Sequence, residues 1–173
     1  MTPYETTSVA IPGGTVVVVV DPDDGAVVAS GFGALALTFS FLTAAEQARG
    51  HVEVAPDAPS VRPVVEALTA YAGGDVDALD DVRVRQHSGP FLDRAWEVMR
   101  EVRAGETDTY AGLAVRAGSP SAVRAAGQAC ARNKVAPFVP CHRILRTDGS
   151  LGGYAYGLPV KEALLVHEGA LLA

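Results

Sequence analysis

Hydrophobic positions fall into two regimes along this chain: continuous β-branched runs near the N-terminus, then apolar stripes of helical period from residue 61 onward. After Gly13-Gly14 the run Thr15 to Val20 is strongly β-branched and ends in Asp21-Pro22-Asp23-Asp24-Gly25. A second run, Ala26 to Phe32, follows at once, so the pair predicts a β-hairpin closed by an Asp-Gly turn. Leu35 to Leu42 is expected to extend the sheet as a further strand, and Thr43-Ala44-Ala45-Glu46 opens a short helix. Beyond Pro56-Asp57-Ala58-Pro59, apolar residues recur at Val61, Val64, Val65, Leu68 and Tyr71, a helix closed by Gly73-Gly74.

The second half reads as helical. Ser88-Gly89-Pro90 starts a helix with Phe91, Ala95, Val98, Met99 and Val102 on one face, and Gly105 stops it. A second helix spans Tyr110 to Ala117 and ends at Gly118. Ser119-Pro120 then caps a third, Ser121 to Arg132. Two short helices joined through Gly-Ser-Pro predict a helix-turn-helix. Its second helix is rich in small residues, Ala122, Ala125, Ala126, Gly127 and Ala129, which leave Arg124 as the long side chain near the middle. Small residues permit close approach to a groove, and a projecting cation suits entry into a base stack. The expected organisation is an α/β domain over 1–83, a linker over 84–88 and a mostly α domain over 89–173.

Composition is that of an ordinary globular protein, with 49% apolar and 20% charged residues in 173. No apolar run approaches membrane-span length, and the N-terminus lacks the basic and apolar regions of a secretory signal; a cytoplasmic location without a membrane partner is expected. The net charge of −6 hides an asymmetry. Residues 1–81 hold twelve acids against Arg49 and Arg62, 2 − 12 = −10, whereas the remainder holds twelve bases against eight acids, +4. No acid lies between Asp108 and Asp148, while Arg116, Arg124, Arg132, Lys134, Arg143 and Arg146 do, so this stretch is the candidate DNA face. Asp75, Asp77, Asp80 and Asp81 read as a solvated edge, and the dispersed histidines show no metal-ligand spacing; neither metal nor cofactor is expected.

Chemistry concentrates at Pro140-Cys141-His142-Arg143. A free thiol is weakly nucleophilic near neutral pH, so an adjacent imidazole is a candidate base, and Glu168 is the candidate carboxylate to orient it. The proline-rich approach, 135–140, is expected to hold the cysteine in a rigid turn. Cys130 is read as lining or supporting the site, not as half of a disulfide.

Pro140-Cys141-His142-Arg143, followed by Gly152-Gly153-Tyr154, Lys161-Glu162 and His167-Glu168-Gly169, resembles the O6-alkylguanine-DNA alkyltransferase family. Upstream, Gly105-Glu106, Tyr110, Arg124-Ala125 with Gly127, and Asn133 resemble it as well. The resemblance implies a ribonuclease H-like N-terminal domain with a small antiparallel sheet and a winged helix-turn-helix C-terminal domain. It implies single-turnover alkyl transfer from O6-alkylguanine in double-stranded DNA, with O4-alkylthymine as an open question, by a protein acting as a monomer whose cooperativity is also open. Cys141 would be the acceptor, His142 the base acting through a bridging water, Glu168 its support, Tyr110 the donor to the leaving base and Asn133 a brace. Arg124 would replace the rotated nucleotide from a minor-groove helix presenting Ala122, Ala125 and Gly127. Pro140, Tyr154, Ala155 and Tyr156 would form the guanine pocket. Tyr156 stands where many relatives have a small residue, and its bulk is expected to narrow that pocket. Rival classes are a non-catalytic lesion binder of the same fold, a helix-turn-helix transcription factor and a cysteine hydrolase.

Overall fold

The computed structural model describes all 173 residues and divides into two compact units. The first comprises residues 1–85 with 134–138; the second comprises 86–133 with 139–173.

In the first unit β1 (Tyr4–Ile11), β2 (Gly14–Val20) and β3 (Val27–Phe32) form an antiparallel meander. A short β4 (His51–Glu53) pairs parallel to β1, so the sheet is mixed, in the order β3-β2-β1-β4, where an antiparallel sheet was expected. Val16 to Val20 are all buried, which is why that run does not alternate: β2 is a central strand covered on both faces. β1 escaped the sequence pattern because its buried residues include Thr6 and Thr7, which are polar and lie on opposite faces.

The stretch expected as a further strand is instead α1 (Leu35–Ser40). Leu35, Phe39 and Leu42 recur at i, i+4 and i+7 and together meet Tyr4, Val19, Val28 and Ala29, a helical stripe that length alone disguised as a strand. α2 (Ala44–Ala48) begins at a capping box: Glu46 N donates to Thr43 Oγ1 at 3.3 Å, and Thr43 N donates to Glu46 Oε2 at 2.7 Å. α3 (Arg62–Ala72) buries Val64, Leu68 and Tyr71 and packs on β1.

Two expectations about connections change. Val84 bridges to Val27 and Arg85 N donates to Val27 O, so the start of the expected linker is paired to the sheet. The segment 134–138 is likewise taken out of the second domain: Ser30 N donates to Lys134 O at 2.8 Å and Ser30 Oγ to Ala136 O at 2.7 Å.

The second unit is helical around a two-stranded parallel ladder. α4 (Pro90–Met99), α5 (Tyr110–Arg116) and α6 (Val123–Ala131) pack on one another. β5 (Asp108–Thr109) pairs with β6 (Ile144–Leu145), and α7 (Leu158–His167) closes the chain. α6 begins at Ala122 without a side-chain cap, so Ser119-Pro120 does not cap it as expected. Trp96 Nε1 donates to Ala129 O at 2.8 Å, tying α6 to α4. No helix is long and apolar enough to cross a membrane.

Candidate active site

Cys141 opens a single 3-10 turn, Cys141–Arg143, directly after Pro140. All three residues are buried. Burial pushes the Cys141 thiol up, because a thiolate loses solvation there; a hydrogen bond from Asn133 and the charge of Lys161 pull the other way. Asn133 is held from both sides, its Nδ2 donating to Val139 O at 2.7 Å and its Oδ1 accepting from Gln86 Nε2 at 3.0 Å. The amide therefore ties the end of α6 to the residues leading into the thiol.

Behind the cysteine, His142 Nε2 donates to Glu168 Oε2 at 2.8 Å. Burial holds the imidazole neutral, so with Nε2 as donor the base is Nδ1, which has no protein hydrogen-bond partner. The thiol and the imidazole do not bond to each other directly. Burial also works against charge on Glu168, yet the bonds and charges of His142 and Arg143 outweigh it and hold the carboxyl at about 2.

Arg143 corrects the sequence reading. It was placed on the DNA face, but its guanidinium is buried and clamps Glu168, Nε to Oε1 at 2.9 Å and Nη2 to Oε2 at 3.1 Å, while Nη1 donates to Val102 O at 2.7 Å. Glu168 caps α7 at its C-terminal end, where the helix dipole disfavours an anion, so this fork is what makes a buried carboxylate tenable. Gly105, at φ +89°, lies so near that an added Cβ would sit 3.2 Å from Glu168 O. Lys134 leaves the DNA face too, pairing with Glu46 at 3.6 Å, and Arg116 pairs with Asp108 at 3.0 Å. Arg124, Arg132 and Arg146 remain exposed and unpaired.

A cavity of about 210 Å³ opens beside the thiol, lined by Tyr110, Gly127, Cys130, Ala131, Cys141, Gly153, Tyr154 and Ala155. Pro140, expected in the pocket, and Tyr156, expected at its lip, are not among the lining residues. Tyr156 instead packs edge-on to Tyr154 at 5.6 Å, and burial, then the charge of Cys141, pushes its phenol up to about 12. Tyr110 is raised as well, by burial and by the charges of both cysteines, against the pull of Arg146 and the Gly153 backbone. On α6 the small residues divide: Ala126 and Ala129 are fully buried, Gly127 faces the cavity, and Arg124 projects into solvent.

Lys161 received no role from the sequence. It is fully buried, and its Nζ donates to the carbonyls of Ile144 at 2.8 Å, Gly153 at 3.2 Å and Leu151. It thus pins the loop forming one wall of the cavity and places a cation near the thiol. The signal was available: positions 161, 164, 165 and 168 form one buried stripe, with Lys161 and Glu168 as its polar members.

A helical domain with a buried thiol, an imidazole-carboxylate relay behind it and a cation projecting from a helix of small residues defines a class: helical units that carry a candidate thiol nucleophile. Comparison with known proteins specifies it. Residues 90–170 match the family described as 6-O-methylguanine DNA methyltransferase, DNA binding domain. That match takes in 81 of the 173 residues, a little under half of the chain. A methylated-DNA–protein-cysteine methyltransferase of Methanosarcina acetivorans is 42% identical over 103 residues, 60% of this chain. That match covers 65% of the relative, so the chain spans just under two thirds of its length. The crystal structure of Mycobacterium tuberculosis O6-methylguanine methyltransferase superposes over 98% of this chain and 94% of its own, with a TM-score of 0.76 at 25% identity. A structure of the M. tuberculosis protein in complex with DNA gives 0.75 at 26% identity over the same shares. The fold of the whole chain, a small mixed sheet with helices, is thus that of these enzymes.

Proposed function

We propose that the protein repairs DNA by direct reversal, moving the alkyl group of an O6-alkylguanine to Cys141 in one irreversible turnover. The observation that carries this is the His142–Glu168 relay at 2.8 Å behind a thiol that lines a base-sized cavity. An O6-alkyl group lies inside the duplex stack, so the nucleotide must rotate out, at a cost of a few kcal/mol that is lower for a badly paired base. The pair α5–α6 acts as a winged helix-turn-helix, lying in the minor groove with Ala122, Ala125 and Gly127 at the backbone and Arg124 in the vacated stack.

His142 Nδ1 takes the thiol proton through a bridging water, and Glu168 supports the charge that then appears on the ring. The thiolate attacks the alkyl carbon; the C–O6 bond breaks, and its electron pair leaves with guanine as an anion. Tyr110, on the cavity wall, donates toward the leaving base and is reprotonated from the imidazolium and solvent. Asn133 braces the turn that leads from α6 to the thiol. Tyr154 and Ala155 wall the pocket, with Pro140 behind the sulfur and Tyr156 outside Tyr154. The product is a thioether with no activated leaving group, so each molecule, acting as a monomer, reacts once without a cofactor.

The test is incubation with a duplex carrying O6-methylguanine, followed by the mass of the Cys141 peptide. One methyl per protein on that sulfur is expected. An unchanged peptide, as from a non-catalytic lesion binder or a transcription factor, or catalytic turnover, as from a hydrolase, rejects the proposal. Cys141→Ser should bind the lesion and transfer nothing.

A further inference from the structure

The ladder between β5 and β6 delivers two side chains to one place. Thr109 is paired with Leu145 in parallel register, so the next residues, Tyr110 and Arg146, leave adjacent strands side by side. Gly152 fixes the same point independently. A Cβ built on it would lie 2.9 Å from the Tyr110 hydroxyl and 3.5 Å from Arg146 Cγ, so both side chains close over a glycine held at φ +73°. Any larger residue there would force the Tyr110 hydroxyl to shift while touching the Arg146 stem. Tyr110 lines the cavity, which puts Arg146 at its rim.

Arg146 is exposed and uncommitted. Its backbone closes a turn, its N–H donating to Ser150 O at 3.0 Å and its carbonyl accepting from Gly149 N at 2.9 Å, but its side chain has no ion pair. Asp148, the nearest acid in sequence, is engaged by Ser150 N at 3.0 Å and Ser150 Oγ at 2.7 Å. Other charges nearby are spent: Arg116 on Asp108, Arg143 on Glu168, and Lys161 on buried carbonyls. Arg146 therefore stands uncommitted, its stem beside Tyr110 at the opening.

Resting on the alkyl-transfer reading above, we propose that Arg146 binds the backbone phosphate of the rotated nucleotide at the mouth of the cavity and so positions the lesion for Cys141. A base inside the cavity leaves its sugar and phosphate outside at the rim, next to Tyr110. A planar fork with several donors suits a phosphate there better than it suits a base edge. Arg124, standing on α6, fills the stack and does not serve the same phosphate. Arg146 is thus a positioning residue and takes no part in bond making.

The test separates this claim from the one it rests on. Binding is measured in Cys141→Ser protein, where transfer does not intervene, on a duplex carrying O6-methylguanine and on the same duplex undamaged, across a range of salt. Adding Arg146→Ala should weaken lesion binding about tenfold and reduce the slope of log K against log salt by about one, as loss of one phosphate contact requires. The undamaged duplex should change less, and Arg146→Lys, which keeps the charge, should restore most of the slope. A slope unaltered by Arg146→Ala, an equal loss on both duplexes, or a lysine variant as weak as alanine would overturn the assignment. Failure of alkyl transfer itself is read separately, as an unchanged Cys141 mass in the parent protein.

Discussion

Replacing Glu168 by Gln removes one charge from a site where every partner is buried, so its cost can be worked out before it is measured. In the folded protein the carboxyl sits at about 2 instead of 4.5, which corresponds to about 3 kcal/mol of stability at neutral pH. Loss of one member of a buried pair costs about 3–5 kcal/mol, because Arg143 would stay buried with its charge uncompensated. The two figures meet near 3. A carboxyl lowered on folding contributes fully above pH 4.5, and the contribution disappears as pH falls toward 2. His142 acts in the same direction. Burial holds it neutral, so below its ordinary 6.5 the unfolded chain takes up a proton first, and stability falls with pH there too. Urea unfolding from pH 7 to pH 2 is the assay. Glu168→Gln should lose about 3 kcal/mol at pH 7 and show a much flatter response between 4.5 and 2. The double variant Arg143→Met/Glu168→Gln should regain part of the loss, since no isolated charge remains. A loss under about 1 kcal/mol, the range of an exposed pair, or an acid response equal to the parent's, would refute the buried clamp.

Arg124→Ala should weaken both duplex binding and repair by about 1–3 kcal/mol, the worth of a stacking contact; unchanged repair of duplex DNA removes its role in the stack. Tyr156→Gly should let Tyr154 relax and raise the benzyl-to-methyl rate ratio at least about tenfold, measured as competing single-turnover rates; an unaltered ratio shows that Tyr156 does not govern pocket width. Lys161→Met should cost about 1.5–3 kcal/mol through its orphaned carbonyls and move the pH midpoint of Cys141 alkylation upward, because a cation favouring the thiolate is gone; a midpoint that stays or falls contradicts that electrostatic role.

What the sequence displayed and what it hid follow one rule. Period and punctuation were legible where a segment's neighbours do not alter its pattern: the valine run of β2, the stripe of α3 and the glycine after α5 all read directly. β1 hid because two of its buried residues are threonines, and α1 was misread because eight apolar-rich residues suit a strand or a helix equally until the packing partners are known. At the site, the thiol, the imidazole and the carboxylate were visible as a set, since those residue types carry chemistry wherever they meet. The fates of cations were not visible. Arg143 and Arg146 flank the same short strand, yet one is sealed against Glu168 and the other faces solvent. A count of basic residues assigns them to a single surface; only burial divides them.

That division matters for how the thiol is activated. The buried groups around it comprise a neutral imidazole, one carboxylate balanced by Arg143, and Lys161 in excess. Moving the thiol proton to His142 separates charge without changing the total, and the surplus positive charge of Lys161 lies close enough to favour the sulfur anion. Burial alone would keep Cys141 protonated and inert, which protects it from small electrophiles in solution. On the alkyl-transfer reading proposed above, an extrahelical purine would exclude water from the same cavity and bring the alkyl carbon to the sulfur, so each charge would then act through a medium of lower dielectric constant. If Lys161 supplies the bias, its removal slows transfer from a free alkylated base as much as from duplex DNA, whereas loss of Arg146 or Arg124 falls on the duplex reaction. The ratio of the two rates in each variant therefore separates activation of the sulfur from delivery of the base.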